Sequence, residues 1–237
     1  MKKRVELLAP AGNFDCVKAA VQNGADAIYL GFSAYSARAS AENFTLEELK
    51  KAIEYAHVRN VKIHLALNTL IKNNEFDDAL SIAAKAYEYG VDAIIVQDLG
   101  FAMALIKNFP KLPVHGSTQM TINNLNGVKV LERLGFERVV LAREVSLEEI
   151  DYICRNTNIE IETFVHGALC ISYSGQCLMS SMIGGRSANR GKCAQAYRLP
   201  YELLQDKNLG LYAESPEYIW NMVQEEEAGD IESWIKE

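Results

Sequence analysis

The sequence lacks the features that would place the protein in or across a membrane. No stretch approaches the roughly 18 consecutive apolar residues of a membrane span, and the basic residues 2–4 precede no apolar run long enough for a signal peptide. Positive charge is also scarce, since 24 lysines and arginines stand against 31 acidic residues, a net charge of −7. That balance argues against bulk electrostatic binding of nucleic acid and leaves open a local basic patch. We expect a cytoplasmic protein.

Cysteine is too scarce, and the compartment too reducing, for a disulfide framework. The chain has five cysteines in 237 residues, and cytosolic thiols serve in cores, catalysis or metal binding. Cys16 and Cys154 lie in helical patterns flanked by apolar residues, so we expect both in the core. With 49% hydrophobic and 23% charged residues, the composition excludes global disorder and is typical of one folded domain.

Short apolar runs alternate with longer amphipathic stretches over the first 165 residues. The runs predict seven strands, at residues 5–9, 27–30, 61–67, 93–96, 113–115, 138–141 and 159–165. The stretches between them predict helices at residues 13–23, 45–59, 75–89, 100–108, 123–134 and 146–155. Capping boxes mark two helix starts, Thr45 with Glu48 and Ser146 with Glu149.

Three joints between a helix and the next strand share one pattern. Gly24, Gly90 and Gly135 each end a helix, and an acidic residue follows two positions later. This α/β repeat fits a (β/α)8 barrel or a doubly wound sheet. The first strand is not followed by G-x-G-x-x-G, which weakens the dinucleotide-binding alternative. We therefore predict a TIM-barrel-like α/β fold.

A barrel places its chemistry at the C-terminal ends of the strands. Polar residues follow nearly every predicted strand there. Taken singly, Asn68 and Asp98 are typical of loop and helix-capping residues. Taken together, the strand ends predict a polar pocket. Its candidate catalytic residues are His115, Gln119, Arg143, Glu144 and His166.

A long loop rich in Gly and Ser follows the seventh strand; we call residues 166–198 the cysteine segment. It holds Cys170, Cys177 and Cys193, with six residues between the first two and fifteen between the last two. Thiolates on flexible backbone are how proteins hold iron–sulfur clusters or zinc. Two alternatives stay open at this point: three unrelated buried thiols, or a cysteine nucleophile with His166 or His115 as its base.

The cysteine segment is also basic within an acidic chain. The four positive residues are Arg186, Arg190, Lys192 and Arg198. They fit either solvated loop charge or a patch that contacts phosphate beside the pocket. The second interpretation reconciles an acidic protein with a nucleic-acid substrate.

Residues 162–180 closely resemble the signature of the peptidase U32 family, the collagenase-like group. The agreement includes Gly167, Cys170, Gly175 and Cys177. Further stretches resemble the family's other hallmarks in the same order along the chain, at residues 8–13, 24–31, 116–119, 189–193 and 198–201.

The resemblance implies a TIM-barrel-like fold and, by its better understood members, an oxygen-independent hydroxylase built around a 4Fe–4S cluster. Such members modify a wobble uridine of tRNA, a cytidine of ribosomal RNA or a quinone precursor, with prephenate as co-substrate in the RNA cases. Cys170, Cys177 and Cys193 match the cluster ligands. The family name implies the alternative, a peptidase acting on peptide or collagen, although the chain has no H-E-x-x-H motif.

Two departures from the family pattern concern the cluster ligands: Tyr197 stands where members often have a further cysteine, and a later ligand cysteine is absent. Residues 206–210 lead almost directly to residues 215–219, which resemble a segment that members reach only after their last barrel strand, so the resemblance implies an incomplete barrel. We expect seven β–α units in residues 1–165, the cysteine loop with a following strand in residues 166–210, and an acidic tail in residues 211–237. A partner subunit could supply the missing ligand and strand. A third interpretation is an inactive barrel that only binds a partner.

Overall fold

The computed structural model describes residues 5–37, 43–167 and 170–195. The strands are β1 (Leu8–Ala11), β2 (Ala27–Gly31), β3 (Lys62–Leu67), β4 (Ala93–Val96), β5 (Val114–Gly116), β6 (Arg138–Val140) and β7 (Glu160–Glu162). The helices are α1 (Phe14–Gln22), α2 (Leu46–His57), α3 (Phe76–Tyr89), α4 (Leu99–Asn108), α5 (Leu125–Leu134), α6 (Leu147–Arg155) and α7 (Met179–Gly184). Arg198, the predicted following strand and the acidic tail lie outside the described residues.

Four of the predicted helix boundaries are confirmed by their caps. The side chain of Thr45 accepts the backbone N–H of Glu48 while Glu48 accepts that of Thr45, and Ser146 and Glu149 form the same box. Gly90 ends α3 and Gly135 ends α5 in the left-handed conformation. That conformation favours glycine because a Cβ would clash with the backbone.

The acidic residues of the helix–strand joints hold neighbouring strands in register. Asp26 accepts the backbone N–H of Leu7 at 2.9 Å, and Asp92 accepts that of Ile63 at 2.7 Å. Each carboxylate thus bonds an amide at the start of the preceding strand, so the repeated pattern joins successive β–α units.

All seven strands are parallel and follow chain order, from β1 at one end of the sheet to β7 at the other. A doubly wound sheet reverses its strand order, and this sheet does not. Glu6, just before β1, contacts Lys62 on β3 and Arg138 on β6 at 3.1 and 2.8 Å. In a flat sheet β1 and β6 would lie about 24 Å apart, so the sheet curls as in a barrel. The prediction of an incomplete TIM-barrel-like fold is confirmed.

The apolar core lies between the outer face of the sheet and the helices. Ile63, Leu65 and Leu67 of β3 are fully buried in it, as are Leu49 and Ile53 of α2. Alternate strand residues point to opposite faces, so the intervening residues of β3 face the interior of the curl. The longest described helix, α3, has 14 residues, and no described helix is long and apolar enough to cross a bilayer.

The prediction that Cys16 and Cys154 are core residues is wrong. Both are exposed. Their neighbours Val17 and Ile153 are the buried residues of α1 and α6. A helix turns about 100° per residue, so the position beside a core residue faces away from the sheet.

Candidate functional site

The residues that follow β3 and β4 shape the loops at the C-terminal ends of the strands. Asn68 accepts the backbone N–H of Ala37 at 3.0 Å and donates to the Ser117 hydroxyl at 3.2 Å. Asp98 caps α4 by accepting the N–H of Phe101 at 2.8 Å and also accepts that of Ile71 at 3.1 Å. Both therefore have the structural roles that the sequence predicts for them singly.

His115 lies inside the curled sheet rather than among the loops. Its ring meets that of His64, on β3, edge to face, with 4.9 Å between ring centroids and 87° between ring planes. Both side chains are buried, at 4% and 2% exposure, and the Nδ1 atom of each ring has no hydrogen-bond partner among the described residues. The interior thus holds a pair of buried imidazoles, of which the sequence analysis identified only one.

A cluster of charges lies in the same interior. The Arg138 guanidinium lies 2.8 Å from Glu6, 2.6 Å from Glu160 and 3.1 Å from Glu162, and Lys62 also pairs with Glu6. Only 8% of the Arg138 side chain is exposed. Three carboxylates around one buried guanidinium offset the cost of removing its charge from water.

Burial sets the protonation of these groups. Burial, together with the nearby charge of Arg138, lowers the pKa of His64 to about 4. Burial also takes the pKa of His115 well below its ordinary value, with His64 and Arg138 acting in the same direction. Burial raises the pKa of Glu162, against the opposing effect of Arg138. Both imidazoles are therefore neutral at pH 7 and able to accept or donate a proton in a hydrogen bond.

Arg143 and Glu144, which follow β6, hold the cysteine segment through Ser174. The Ser174 N–H and hydroxyl donate to Glu144 Oε1 at 2.9 and 3.3 Å. Arg143 donates from its backbone N–H and Nε to the Ser174 hydroxyl at 3.2 and 3.1 Å, and from Nη2 to the Ser172 carbonyl. We call this set of bonds the Ser174 clamp.

The loop after β5 also binds the cysteine segment. Thr121 donates its hydroxyl to the Ser174 carbonyl at 2.7 Å and accepts from the Gln176 amide at 2.8 Å. Gly175 lies so close to the Gln119 backbone that an added Cβ would run into the Gln119 carbonyl group. Gln119 in turn accepts, through its backbone carbonyl, a bond from the Gln97 amide at 3.2 Å. The cysteine segment is therefore bound to the loops that follow β5 and β6.

Arg190 makes a second attachment to the loop after β3. Its two terminal nitrogens donate to the two Glu75 carboxylate oxygens at 3.1 and 2.7 Å. We call this ion pair the Glu75–Arg190 bridge. Asn189, next to Arg190, donates to the Gly175 carbonyl at 3.0 Å and so connects the bridge to the Ser174 clamp. Arg186 and Lys192 are exposed.

The three cysteines of the segment differ in exposure. Cys170 and Cys177 are half-buried, whereas Cys193 is exposed and within 4.0 Å of the Ser180 hydroxyl. Nowhere in the described ranges do three or more His, Cys, Asp or Glu side chains form a group that could hold a metal ion. The assignment of Cys170, Cys177 and Cys193 as cluster ligands therefore stays a prediction.

Three of the five predicted pocket residues meet at the docked cysteine segment: Arg143 and Glu144 bond Ser174, and the Gln119 backbone lies against Gly175. His115 lies apart from them in the interior, and His166 is exposed after β7. Four further residues of these places were not predicted from the sequence: His64, Arg138, Ser174 and Glu75. The available signal for His64 was its place two residues after Lys62, so that both polar residues lie on one face of a strand whose other residues are apolar.

The fold and the site define a class: a curled, parallel β/α sheet that carries a cysteine segment docked on the loops at its C-terminal strand ends. The chain belongs to peptidase family U32, whose family model matches residues 12–235. The solved structure of the U32 peptidase Mk0906 has the same fold, with a TM-score of 0.59 over 69% of each chain and 14% identity.

Two curated relatives are similar in sequence. The chain is 43% identical over 204 residues to the 23S rRNA 5-hydroxycytidine C2501 synthase of Escherichia coli, covering 86% of this chain and 31% of the relative. It is 40% identical over 203 residues to tRNA hydroxylation protein P1 of Bacillus subtilis, covering 86% of this chain and 48% of the relative. The chain thus spans about a third to a half of these relatives' length.

Proposed function

We propose that the chain is the barrel portion of an RNA hydroxylase. The observation that carries the proposal is the docking of the cysteine segment on the loops where barrel enzymes bind their substrates. The similarity to proteins named for rRNA and tRNA hydroxylation supports RNA as the substrate class. These RNAs work in the cytoplasm, which agrees with the expected location.

In this proposal a pyrimidine base leaves its stack and enters the strand-end loops, since an enzyme acts on a base only after extruding it. The exposed Arg186 and Lys192 of the cysteine segment contact phosphate. His166, exposed beside the same loops, contacts the substrate, and prephenate is the co-substrate that the resemblance implies.

Cys170, Cys177 and Cys193 are the proposed ligands of a 4Fe–4S cluster, which supplies one-electron chemistry when bound. Because the described residues contain no preformed metal group, metal binding would have to draw the three thiols together. Such coupling between binding and local folding is common in metal sites. A partner subunit or a substrate would supply the fourth ligand of the cluster.

The experiment is iron and sulfide quantitation on protein purified without oxygen. We expect brown protein, and we expect Cys177→Ala to lose most of its iron. The matched control is Cys154→Ala, which removes an exposed thiol on α6 and should keep the wild-type iron content.

Equal iron in both variants would refute the ligand assignment. Colourless, iron-free protein that degrades gelatin would instead support the peptidase that the family name implies. Retained secondary structure with neither iron nor turnover would indicate a barrel that only binds a partner.

A further inference from the structure

The Glu75–Arg190 bridge pairs a fork of two donors with a fork of two acceptors. Parallel bonds of 3.1 and 2.7 Å join the guanidinium to the carboxylate, and Nη1 also lies 3.4 Å from the Leu70 carbonyl. Glu75 is the last residue of the 3-10 helix Asn73–Glu75, which precedes α3. Glu75 and Arg190 are 115 residues apart in sequence. Two-pronged bonds of this kind fix orientation as well as distance.

The bridge and the Ser174 clamp hold the cysteine segment at two points that lie beside its thiols. Ser174 stands between Cys170 and Cys177, and Arg190 stands three residues before Cys193. The bond from Asn189 to the Gly175 carbonyl joins the two points. Moving either point would therefore move at least one of the three thiols.

We propose that Glu75 and Arg190 are positioning residues, which set the place of Cys193 over the strand ends, and that Arg190 does not contact phosphate. The proposal rests on the proposed function for the role of the thiols. It replaces the phosphate role that the basic pattern of the segment suggested for Arg190.

Charge favours this assignment. The Glu75 carboxylate occupies both donor prongs of Arg190, and the Arg190 hydrogen bonds hold the pKa of Glu75 below its ordinary value. A phosphate at Arg190 would meet the Glu75 carboxylate and lose attraction by like-charge repulsion. Within the described part of the chain, the exposed Arg186 and Lys192 side chains pair with no carboxylate, and they remain the phosphate candidates.

The first test is hydrogen exchange on the full chain with Glu75→Gln and Arg190→Lys. Lysine keeps the charge of Arg190 but cannot form the fork. We expect both variants to raise exchange about tenfold at the Gly191 and Lys192 amides, since each loses a charge-assisted pair of bonds. These amides bond the Ala188 and Ser187 carbonyls.

The matched controls are Glu88→Gln and Arg155→Lys. Glu88 pairs with Lys85 on α3 and Arg155 with Asp151 on α6, both in exposed pairs within one helix. Neither control should change exchange in the cysteine segment. Wild-type exchange in Glu75→Gln would overturn the positioning role.

The second test measures how binding of an unmodified tRNA transcript depends on salt. Removing one phosphate contact lowers the slope of log K against log salt by about one. We expect this change for Arg186→Ala and no change for Arg190→Ala. A lower slope in Arg190→Ala, with wild-type exchange in Glu75→Gln, would assign Arg190 to phosphate and overturn the proposal.

The two tests separate this inference from the proposed function. Wild-type chain that holds no iron and binds no tRNA would refute the hydroxylase, and the exchange comparison would still decide whether the bridge positions the segment. If the hydroxylase holds, the iron content of Glu75→Gln and Arg190→Lys should fall together, several-fold below that of Glu88→Gln.

Discussion

His64 and His115 place two titratable rings where most barrels carry aliphatic side chains. Their burial and edge-to-face contact keep both uncharged at neutral pH. Protonating either ring would add a positive charge beside its partner ring and Arg138. The pair therefore makes the stability of the fold depend on pH.

This dependence gives a prediction with a definite sign. The folded pKa of His64 is about 4 and its ordinary value about 6.5, so the unfolded chain binds more protons between these values. The stability from a neutral His64 is complete above pH 6.5 and declines as the pH falls towards 4, by on the order of 3 kcal/mol.

The measurement is the melting temperature from pH 7.5 to pH 4.5 for the wild type and for His64→Gln. We expect a steep acid-side decline in the wild type and a flatter one in the variant. A variant that keeps the full wild-type decline would show that His64 is not the responsible group.

At the scale of elements, the sequence predicts what is decided locally. The capping boxes at Thr45 and Ser146 and the glycines that end α3 and α5 stand where the pattern indicates. β7 is shorter than expected, since only Glu160–Glu162 pair of the predicted run 159–165. The length of β7 is limited by β6, its pairing partner, which itself spans three residues. The sequence of β7 does not show this limit.

The docking of the cysteine segment depends on one small residue. Gly175 has φ +73°, and an added Cβ would come within 2.8 Å of the Gln119 carbonyl carbon. We expect Gly175→Ala to detach the segment and speed the reaction of the half-buried Cys177 with a thiol-reactive probe, followed by mass spectrometry.

Gly185→Ala is the matched control. Gly185 has a similar φ of +63°, but no atom of the described residues lies within 4 Å of its added Cβ. It should cost about 1 kcal/mol for the left-handed backbone and leave the labelling of Cys177 unchanged. Equal labelling rates in the two alanine variants would contradict the steric argument.

At the scale of the molecule, one guanidinium joins the two ends of the sheet. Arg138 contacts Glu6, next to β1, and also Glu160 and Glu162 of β7. The α/β repeat of the sequence predicts the barrel but does not indicate this contact. The contact forms because the strand order and the curvature of the sheet bring Glu6 close to Arg138. The same holds for the site, where Arg143, Glu144 and Ser174 meet only because the loops converge.

Arg138→Met tests this connection between the two ends of the sheet. Removing the guanidinium leaves three carboxylates close together without their partner, and we expect a loss of about 3 kcal/mol in the free energy of unfolding by urea. Arg155→Met, in an exposed pair on α6, should cost less than about 1 kcal/mol. Similar losses in the two variants would contradict the role of Arg138.

A ribbon wound in one direction can fray from either end, one unit at a time. The Arg138 contacts oppose this, since one side chain holds carboxylates from both ends of the sheet and loses contacts when either end is released. The terminal units should then melt in a single cooperative step, so that heat or denaturant opens the ring as a whole rather than peeling it from one side.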